Sequence, residues 1–380
     1  MKILILSPLY YPDRFGGIEK VVYEFTRRLG LKKINTTVIC GTTGCDETLT
    51  HEGVTIHRLS SNGAFNDGSF EKYYEVNSRA LEIINQEQPD LIWAHDWFFA
   101  LAALNYTEAR PVPLISQAHF LKRFESKGRI SSWRSFVDLM QTLLFRNSKT
   151  VLAVSSSQIQ SLNQHYRIPK NRICHVKYGM DPLPVTSQRP LSNAQPIFLY
   201  LGRLETEKNI DTFLDSLKIY ENNLQQSICV RLVGSGSLQK ILETKAQQLS
   251  KVQVEFIPFS SDFAFIQSLL LKADIVVLPS LYDSYGLAAL EALSLQVPVL
   301  VSRQCGISED LALYPKSMVF DARDKEEMFK AVQFCLTNLA ELPSIGIDTH
   351  RNLQATHNWD LSINKILEHI GPSPKRVHHA

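Results

Sequence analysis

The chain has 380 residues, of which 44% are hydrophobic and 21% charged, with a formal net charge of +2. That length gives room for two domains with full cores, and near-neutrality argues against a general nucleic-acid binder. No apolar run reaches the roughly 18 residues of a membrane-spanning helix, and the six scattered cysteines (40, 45, 174, 229, 305 and 335) form no C-x-x-C pair or metal-ligand spacing. Reduced thiols in a cytoplasmic protein are therefore expected.

The opening run, Met1-Lys2-Ile3-Leu4-Ile5-Leu6, stops at Ser7-Pro8. It is too short for a signal core and reads as a first β-strand. Further strand-like runs begin at Thr36, Val54, Leu91, Val112, Thr150 and Ile173, with helical periodicity near 17–29, 70–85, 97–104, 133–146 and 155–165. This alternation implies a parallel sheet covered by helices. A proline-rich stretch at 182–196 reads as a domain boundary. A second series follows, with strands from Ile197, Ile228, Val252, Asp274 and Val297 and helices near 210–220, 237–249, 263–270, 286–295 and 325–339. The fold class is α/β, with two Rossmann-like, doubly wound parallel-sheet domains at 1–185 and 186–355. An amphipathic helix at 356–371 is expected to return to the first domain. Charge is uneven: residues 1–190 carry 23 Lys/Arg against 17 Asp/Glu, and the remainder 17 against 21.

Candidate chemistry clusters at strand ends. Gly16-Gly17 follows the first strand, where glycine lets a backbone come close to a phosphate. This is not G-x-G-x-x-G, and a tight turn is the simpler account. His95 ends one strand and His119 the next; His119 is read as functional, His95 as a packed or surface histidine. Around 121–134, Lys122, Arg123, Lys127, Arg129 and Arg134 are interleaved with Phe120, Phe124 and Trp133. A solvated loop and a core helix explain that pattern; contact with an anionic acceptor or an anionic membrane surface is the functional alternative.

In the second half, Phe198-Leu199-Tyr200-Leu201-Gly202-Arg203 is followed by Lys208. An arginine fork and a lysine point charge after a strand suit a diphosphate, at about 1.5–3 kcal/mol for each charge-assisted hydrogen bond. The alternative is a surface ion pair with Glu205 or Glu207. Val233-Gly234-Ser235-Gly236 is a strand-to-helix turn, structural by default but able to line a nucleotide cleft. Residues 274–291 say most: a buried apolar strand, a polar loop, Gly286, then an Ala/Leu-rich helix carrying Glu291. Asp283 and Glu291 flank the start of that helix at the carboxyl end of a strand, where open α/β sheets bind ligands. A helix N-terminus suits a phosphate, and the two acids suit hydroxyls.

Together these residues resemble the retaining glycosyltransferases of the GT-B group, specifically family 4 (glycosyltransferase group 1). The resemblance rests on Gly16-Gly17-Ile18-Glu19, His95-Asp96, His119, Gly179-Met180-Asp181, Gly202-Arg203 with Lys208, Gly234-Ser235-Gly236, and Pro279 through Glu291 into Pro298-Val299. It covers nearly the whole chain. It implies a nucleotide-sugar donor held between two Rossmann-like domains and a hydroxyl acceptor (a glycan, a lipid-linked sugar or a small aglycone) met by the first domain. Arg203 and Lys208 would neutralise the donor diphosphate. Gly16, Gly17, Gly202, Gly234 and the N–H groups of Gly286 and Leu287 would complete the cradle. Glu291 would hold the ribose hydroxyls, Asp283 would face the transferred sugar, and His119 would sit beside the reacting carbon. No metal is implied, because the cations do that work, and no cofactor beyond a UDP-, GDP- or ADP-sugar, UDP being favoured. A nucleotide-sugar epimerase or a phosphorylase on the same fold, or a non-catalytic sugar-nucleotide sensor, are the alternatives.

The chain departs from the family pattern at several positions. Asp283 stands where glutamate is usual, which sets the carboxylate back by roughly 1 Å; misplacements of that order cost about 100-fold in rate. Tyr178 replaces an asparagine, Pro258 a glycine, and the segment 304–310 lacks the usual Gly-Gly while keeping an acid at Glu309.

Overall fold

The computed structural model describes residues 1–10, 16–61, 69–121, 132–180, 195–311 and 314–371. The chain divides into two units, Met1–Gly179 with Trp359–Ala380, and Met180–Asn358. The first contains β1 (Lys2–Ser7), α1 (Gly17–Leu31), β2 (Asn35–Thr42), β3 (Glu47–His51), β4 (Val54–Ser60), α2 (Phe70–Glu87), β5 (Leu91–His95), α3 (Ala100–Ala109), β6 (Leu114–Gln117), α4 (Ser132–Asn147), β7 (Thr150–Ala153), α5 (Ser156–His165) and β8 (Ile173–His175). The second contains β9 (Ile197–Leu201), α6 (Ile210–Ile219), β10 (Ile228–Val233), α7 (Gln239–Ala246), β11 (Val252–Ile257), α8 (Phe263–Lys272), β12 (Ile275–Leu278), α9 (Leu287–Ser294), β13 (Val299–Ser302), β14 (Val319–Phe320), α10 (Lys325–Thr337) and α11 (Leu342–Gln354). The last helix, α12 (Trp359–Ile370), belongs to the first unit.

Both sheets are doubly wound. The first has the order β3-β4-β2-β1-β5-β6-β7-β8, parallel throughout except for β3, which runs antiparallel to β4 at the edge. The second has the order β11-β10-β9-β12-β13-β14 and is wholly parallel. Strands buried on both faces need continuous apolar runs rather than alternation. Ile3, Leu4 and Ile5 of β1 and Ile275, Val276 and Val277 of β12 are fully buried. In each sheet the connections reverse direction once: between β1 and β5 in the first, and between β9 and β12 in the second. The carboxyl ends flanking such a switch point form the crevice in which open α/β sheets take ligands.

The expected doubly wound series is present in both units, with instructive differences. The strands expected from Val112 and Val297 begin at Leu114 and Val299, because Pro113 and Pro298 have no N–H for the ladder. The helix expected at 97–104 begins at Ala100, after a buried turn of Trp97, Phe98 and Phe99. β3, β14 and α11 have no counterpart in the expected series. The boundary stretch 182–196 lies outside the described residues except for its last two positions, as does 122–131 of the basic segment. Among the described residues no helix is long and apolar enough to cross a membrane.

The C-terminal helix is held in the first unit by aromatic packing. Trp359 stands edge-on to Phe25 of α1 at 5.4 Å, and Phe25 packs on Trp93 of β5 at 5.0 Å. The Arg28 guanidinium lies 5.7 Å from the centre of the Trp359 ring. A buried tryptophan removes roughly 200 Å² from water, about 5 kcal/mol of transfer free energy. A Cβ at Gly179 would fall 2.3 Å from the Trp359 ring, so only glycine lets the chain pass there.

Candidate active site

In the second unit, the loops after β9 and β12 flank the switch point. Lys208 leaves the first and Asp283 the second, and their side chains meet: Nζ lies 2.7 Å from Oδ2, with both side chains about four-fifths buried. Burial opposes the ammonium, but the Asp283 charge and its hydrogen bond outweigh burial, so the lysine pKa is raised. The cation is therefore fixed. Arg203 behaves differently. Its side chain is 64% exposed and pairs with Glu207 Oε1 at 2.6 Å, one helical turn on. This is the ion pair weighed as the simpler alternative in the sequence, here with Glu207; Glu205 instead accepts from the Ser237 N–H and hydroxyl at 2.9 and 2.6 Å. The backbone of the β9 loop is pinned by Tyr200, whose buried hydroxyl donates to the Arg203 carbonyl at 2.6 Å. Burial, then the Asp283 charge, raises that hydroxyl's pKa well above the ordinary tyrosine value.

Gly202 and Gly234 are set by the approach of two loops. A Cβ on Gly234 would fall 2.0 Å from the Gly202 carbonyl oxygen, and one on Gly236 would fall 2.3 Å from that of Leu204. The loops are also stitched by Gly202 N–H to Val233 O at 3.0 Å and Leu204 N–H to Ser235 O at 2.9 Å. The packing alone requires glycine at 234.

The loop 283–287 is held on the turn after β13. The Asp283 and Tyr285 carbonyls accept from the N–H groups of Gly306 at 3.0 Å and Ile307 at 2.6 Å, and Asp283 Oδ1 accepts from Tyr285 N–H at 3.2 Å. Gly286 caps α9 in the left-handed region, at φ +101°. A side chain there would be strained and would press on Ile307. Leu287 opens α9, so its N–H is one of the groups a helix start leaves without an intrahelical acceptor. Glu291 lies four residues on, on the same face, and is half-buried. Cys305, buried beside Asp283, has its thiol pushed up to about 12 by burial and that charge.

The first unit presents a different arrangement. His119 follows β6, and its Nε2 lies 2.9 Å from His95 Nδ1, with the rings stacked at 5.1 Å. Its Nδ1 lies 3.2 Å from the Tyr178 hydroxyl. Both ring nitrogens are thus engaged. Burial pushes His119 down to about 3, and burial and its neighbour push His95 well below its ordinary value, so both are neutral near pH 7. Asp96, at φ +65°, takes a hydrogen bond from Gln141 Nε2 at 2.7 Å. Gly16 caps α1 and Gly17 opens it; the rest of their loop, 11–15, lies outside the described residues.

The second unit therefore brings Lys208 and Asp283 together, places Gly286, Leu287 and Glu291 in one continuous segment, and turns Arg203 toward Glu207. The pairing of Lys208 with Asp283, the tie from Tyr178 to His119, and the contacts of the Tyr285 side chain were missed in the sequence, since each joins residues dozens of positions apart. Among the described residues no group of three or more His, Cys, Asp or Glu is arranged to hold a metal ion.

Comparison with known proteins agrees with the fold. The family models for glycosyl transferases group 1 and for glycosyltransferase family 4 match residues 186–345 and 15–182. A glycogen synthase of Mycobacterium tuberculosis is 25% identical over 275 residues, which is 72% of this chain; the match spans 66% of that relative's length. The solved sucrose-phosphate synthase of Thermosynechococcus elongatus superposes with a TM-score of 0.80 at 18% identity, covering 96% of this chain and 97% of the other. The Anabaena protein HepE, solved in complex with UDP and glucose, gives 0.74 at 16% identity, covering 97% and 99%. With both halves matched and the GT-B architecture in place, the chain belongs to the family 4, or group 1, glycosyltransferases.

Proposed function

We propose that the protein moves a sugar from a nucleotide-diphosphate donor to a hydroxyl acceptor, with retention of configuration and without a metal ion. One observation carries this reading: Lys208 and Asp283, from the loops after the two strands that flank the switch point of the second sheet, meet in a largely buried pair. Breaking the sugar–phosphate bond leaves negative charge on the diphosphate. An ammonium already in place, with the N–H groups at the start of α9, lowers that barrier without rearrangement. An ammonium has three donors, so Lys208 can keep Asp283 and still take a phosphate oxygen. Asp283 then faces the sugar, Glu291 the ribose, and Arg203 exchanges Glu207 for a phosphate oxygen. His119 serves beside the reacting carbon as a neutral imidazole, which does not repel the positive character developing there. UDP is the favoured nucleotide, as the UDP complex of HepE suggests by analogy.

Isothermal titration of the folded protein with UDP, GDP and ADP tests the reading. One of them binds, and the matching nucleotide-sugar is turned over; silence with all three overturns it. The acceptor is proposed to be anionic or membrane-associated, in keeping with the basic segment at 122–134. Flotation with anionic liposomes at low salt tests this, and protein left at the bottom of the gradient removes the membrane proposal.

A further inference from the structure

Three polar side chains from distant parts of the sequence meet inside the second unit. Tyr285 and His357 are each 1% exposed, and the Asp310 side chain is 6% exposed. The Tyr285 hydroxyl and His357 Nε2 both approach Asp310 Oδ2, at 3.1 and 3.2 Å, and are bonded to each other. Burying three polar groups is costly unless they satisfy one another. With a proton on Nε2, His357 donates toward the tyrosine oxygen and the carboxylate, the tyrosine donates to the carboxylate, and His357 Nδ1 accepts from the Thr356 hydroxyl at 3.0 Å.

Their place in the chain gives the cluster its meaning. Tyr285 sits between Asp283, the partner of Lys208, and Gly286, the cap of α9. Asp310 ends the turn on which the loop 283–287 is stitched. His357 lies one residue before the last position of its unit, and its carbonyl accepts from the N–H of Met180, the first residue of that unit, at 2.8 Å. The cluster thus ties the donor loop to both points where the chain passes between units.

We propose that Tyr285, Asp310 and His357 are positioning residues of the donor site. The tyrosine hydroxyl, clamped by the other two, holds the backbone between Asp283 and Leu287, so that the carboxylate meets Lys208 while the first N–H groups of α9 face the same place. This rests on the donor-site reading above, which it deepens.

The test compares Tyr285→Phe, His357→Gln and the double variant with Tyr314→Phe. Tyr314 is a control: it is a tyrosine 5% exposed in the same unit, with its hydroxyl bonded to the backbone of Val299 at 2.6 and 2.8 Å. Each site variant is expected to lower kcat for the nucleotide-sugar about 10- to 100-fold, with the donor KM changed less than about threefold, because a misplacement of 1 Å suffices. The double variant falls no further than the worse single one, since both act through one hydroxyl. Tyr314→Phe lowers Tm and leaves kcat within about twofold. Losses that multiply, or singles whose kcat stays within twofold of wild type, overturn the proposal. Hydrogen exchange over 281–291 in the unliganded protein gives an independent readout: it speeds up in Tyr285→Phe and His357→Gln and not in Tyr314→Phe. Unchanged exchange there also overturns the proposal, whereas faster exchange in the two site variants of a protein whose wild type turns over no nucleotide-sugar points to failure of the donor assignment alone.

Discussion

The two candidate sites treat buried polarity differently. In the second, charges come in pairs: Lys208 with Asp283 at 2.7 Å, and Arg203 with Glu207 at 2.6 Å. In the first, burial keeps His95 and His119 neutral and hydrogen-bonded to each other. The difference bears on which of the two sites suits the donor diphosphate. An acid held against a lysine guarantees the ammonium at any physiological pH, whereas two neutral imidazoles offer directional hydrogen bonding and no field. On the function proposed above, the diphosphate meets the paired lysine and the reacting sugar carbon lies beside the neutral imidazole.

The strongest way to break this contrast is Lys208→Ala. Removing one preorganised donor to a developing charge costs about 100- to 1,000-fold in rate. The variant should lose a similar factor in kcat/KM and bind UDP far more weakly, while uridine, which lacks the phosphates, binds within about twofold of wild type by titration. Equal losses for UDP and uridine would show that the lysine supports the fold of the site rather than the diphosphate, and the charge contrast between the units would lose its functional meaning.

The contrast was only partly legible in the sequence. β9 and β12 could be read because strands buried on both faces are continuous apolar runs, and the loops after them announced Arg203, Lys208, Asp283 and Gly286 by type. β3 could not be read: Glu47-Thr48-Leu49-Thr50-His51 is a polar edge strand with no buried residue. α11 was hidden by Pro343 in its first turn and by Gly346, whose Cβ would fall 2.2 Å from the Gln296 carbonyl oxygen, so that tertiary packing overrides helix propensity. The pairing of Lys208 with Asp283 spans 75 residues and depends on β9 lying beside β12, a sheet order that no local pattern encodes. The same holds for Tyr285 and His357, separated by 72 residues.

A smaller effect sharpens the first unit's side of the comparison. Its histidines have pKa values lowered from 6.5, His119 to about 3. The unfolded chain therefore binds more protons than the folded one below about pH 6.5, and stability is present above that pH and lost as pH falls toward 3. The slope is at most about 1.4 kcal/mol per pH unit for each linked proton. All four tryptophans (93, 97, 133 and 359) lie in the first unit, so their fluorescence reports its unfolding alone. Denaturant midpoints followed this way should fall between pH 6.5 and 4, and His119→Gln should flatten the fall. A wild-type midpoint independent of pH over that range would mean the histidines are not held neutral.

Arg203→Ala should have the smallest effect, and the reason is the partner it already has. Its guanidinium is 64% exposed, and exposed ion pairs are worth about 0–1 kcal/mol, so losing the contact with Glu207 hardly changes stability. For the same reason its gain on taking a phosphate oxygen is reduced by the partner it gives up and by screening. UDP affinity should therefore drop about 3- to 10-fold, less than for Lys208→Ala, and the drop should shrink as salt is raised, because a Debye length of about 3 Å at 1 M screens an exposed pair more than a buried one. If Arg203→Ala matched or exceeded Lys208→Ala, with a loss that salt did not reduce, the donor would draw its binding from the exposed fork. The buried pair of Lys208 and Asp283 would then be a structural brace between the loops after β9 and β12.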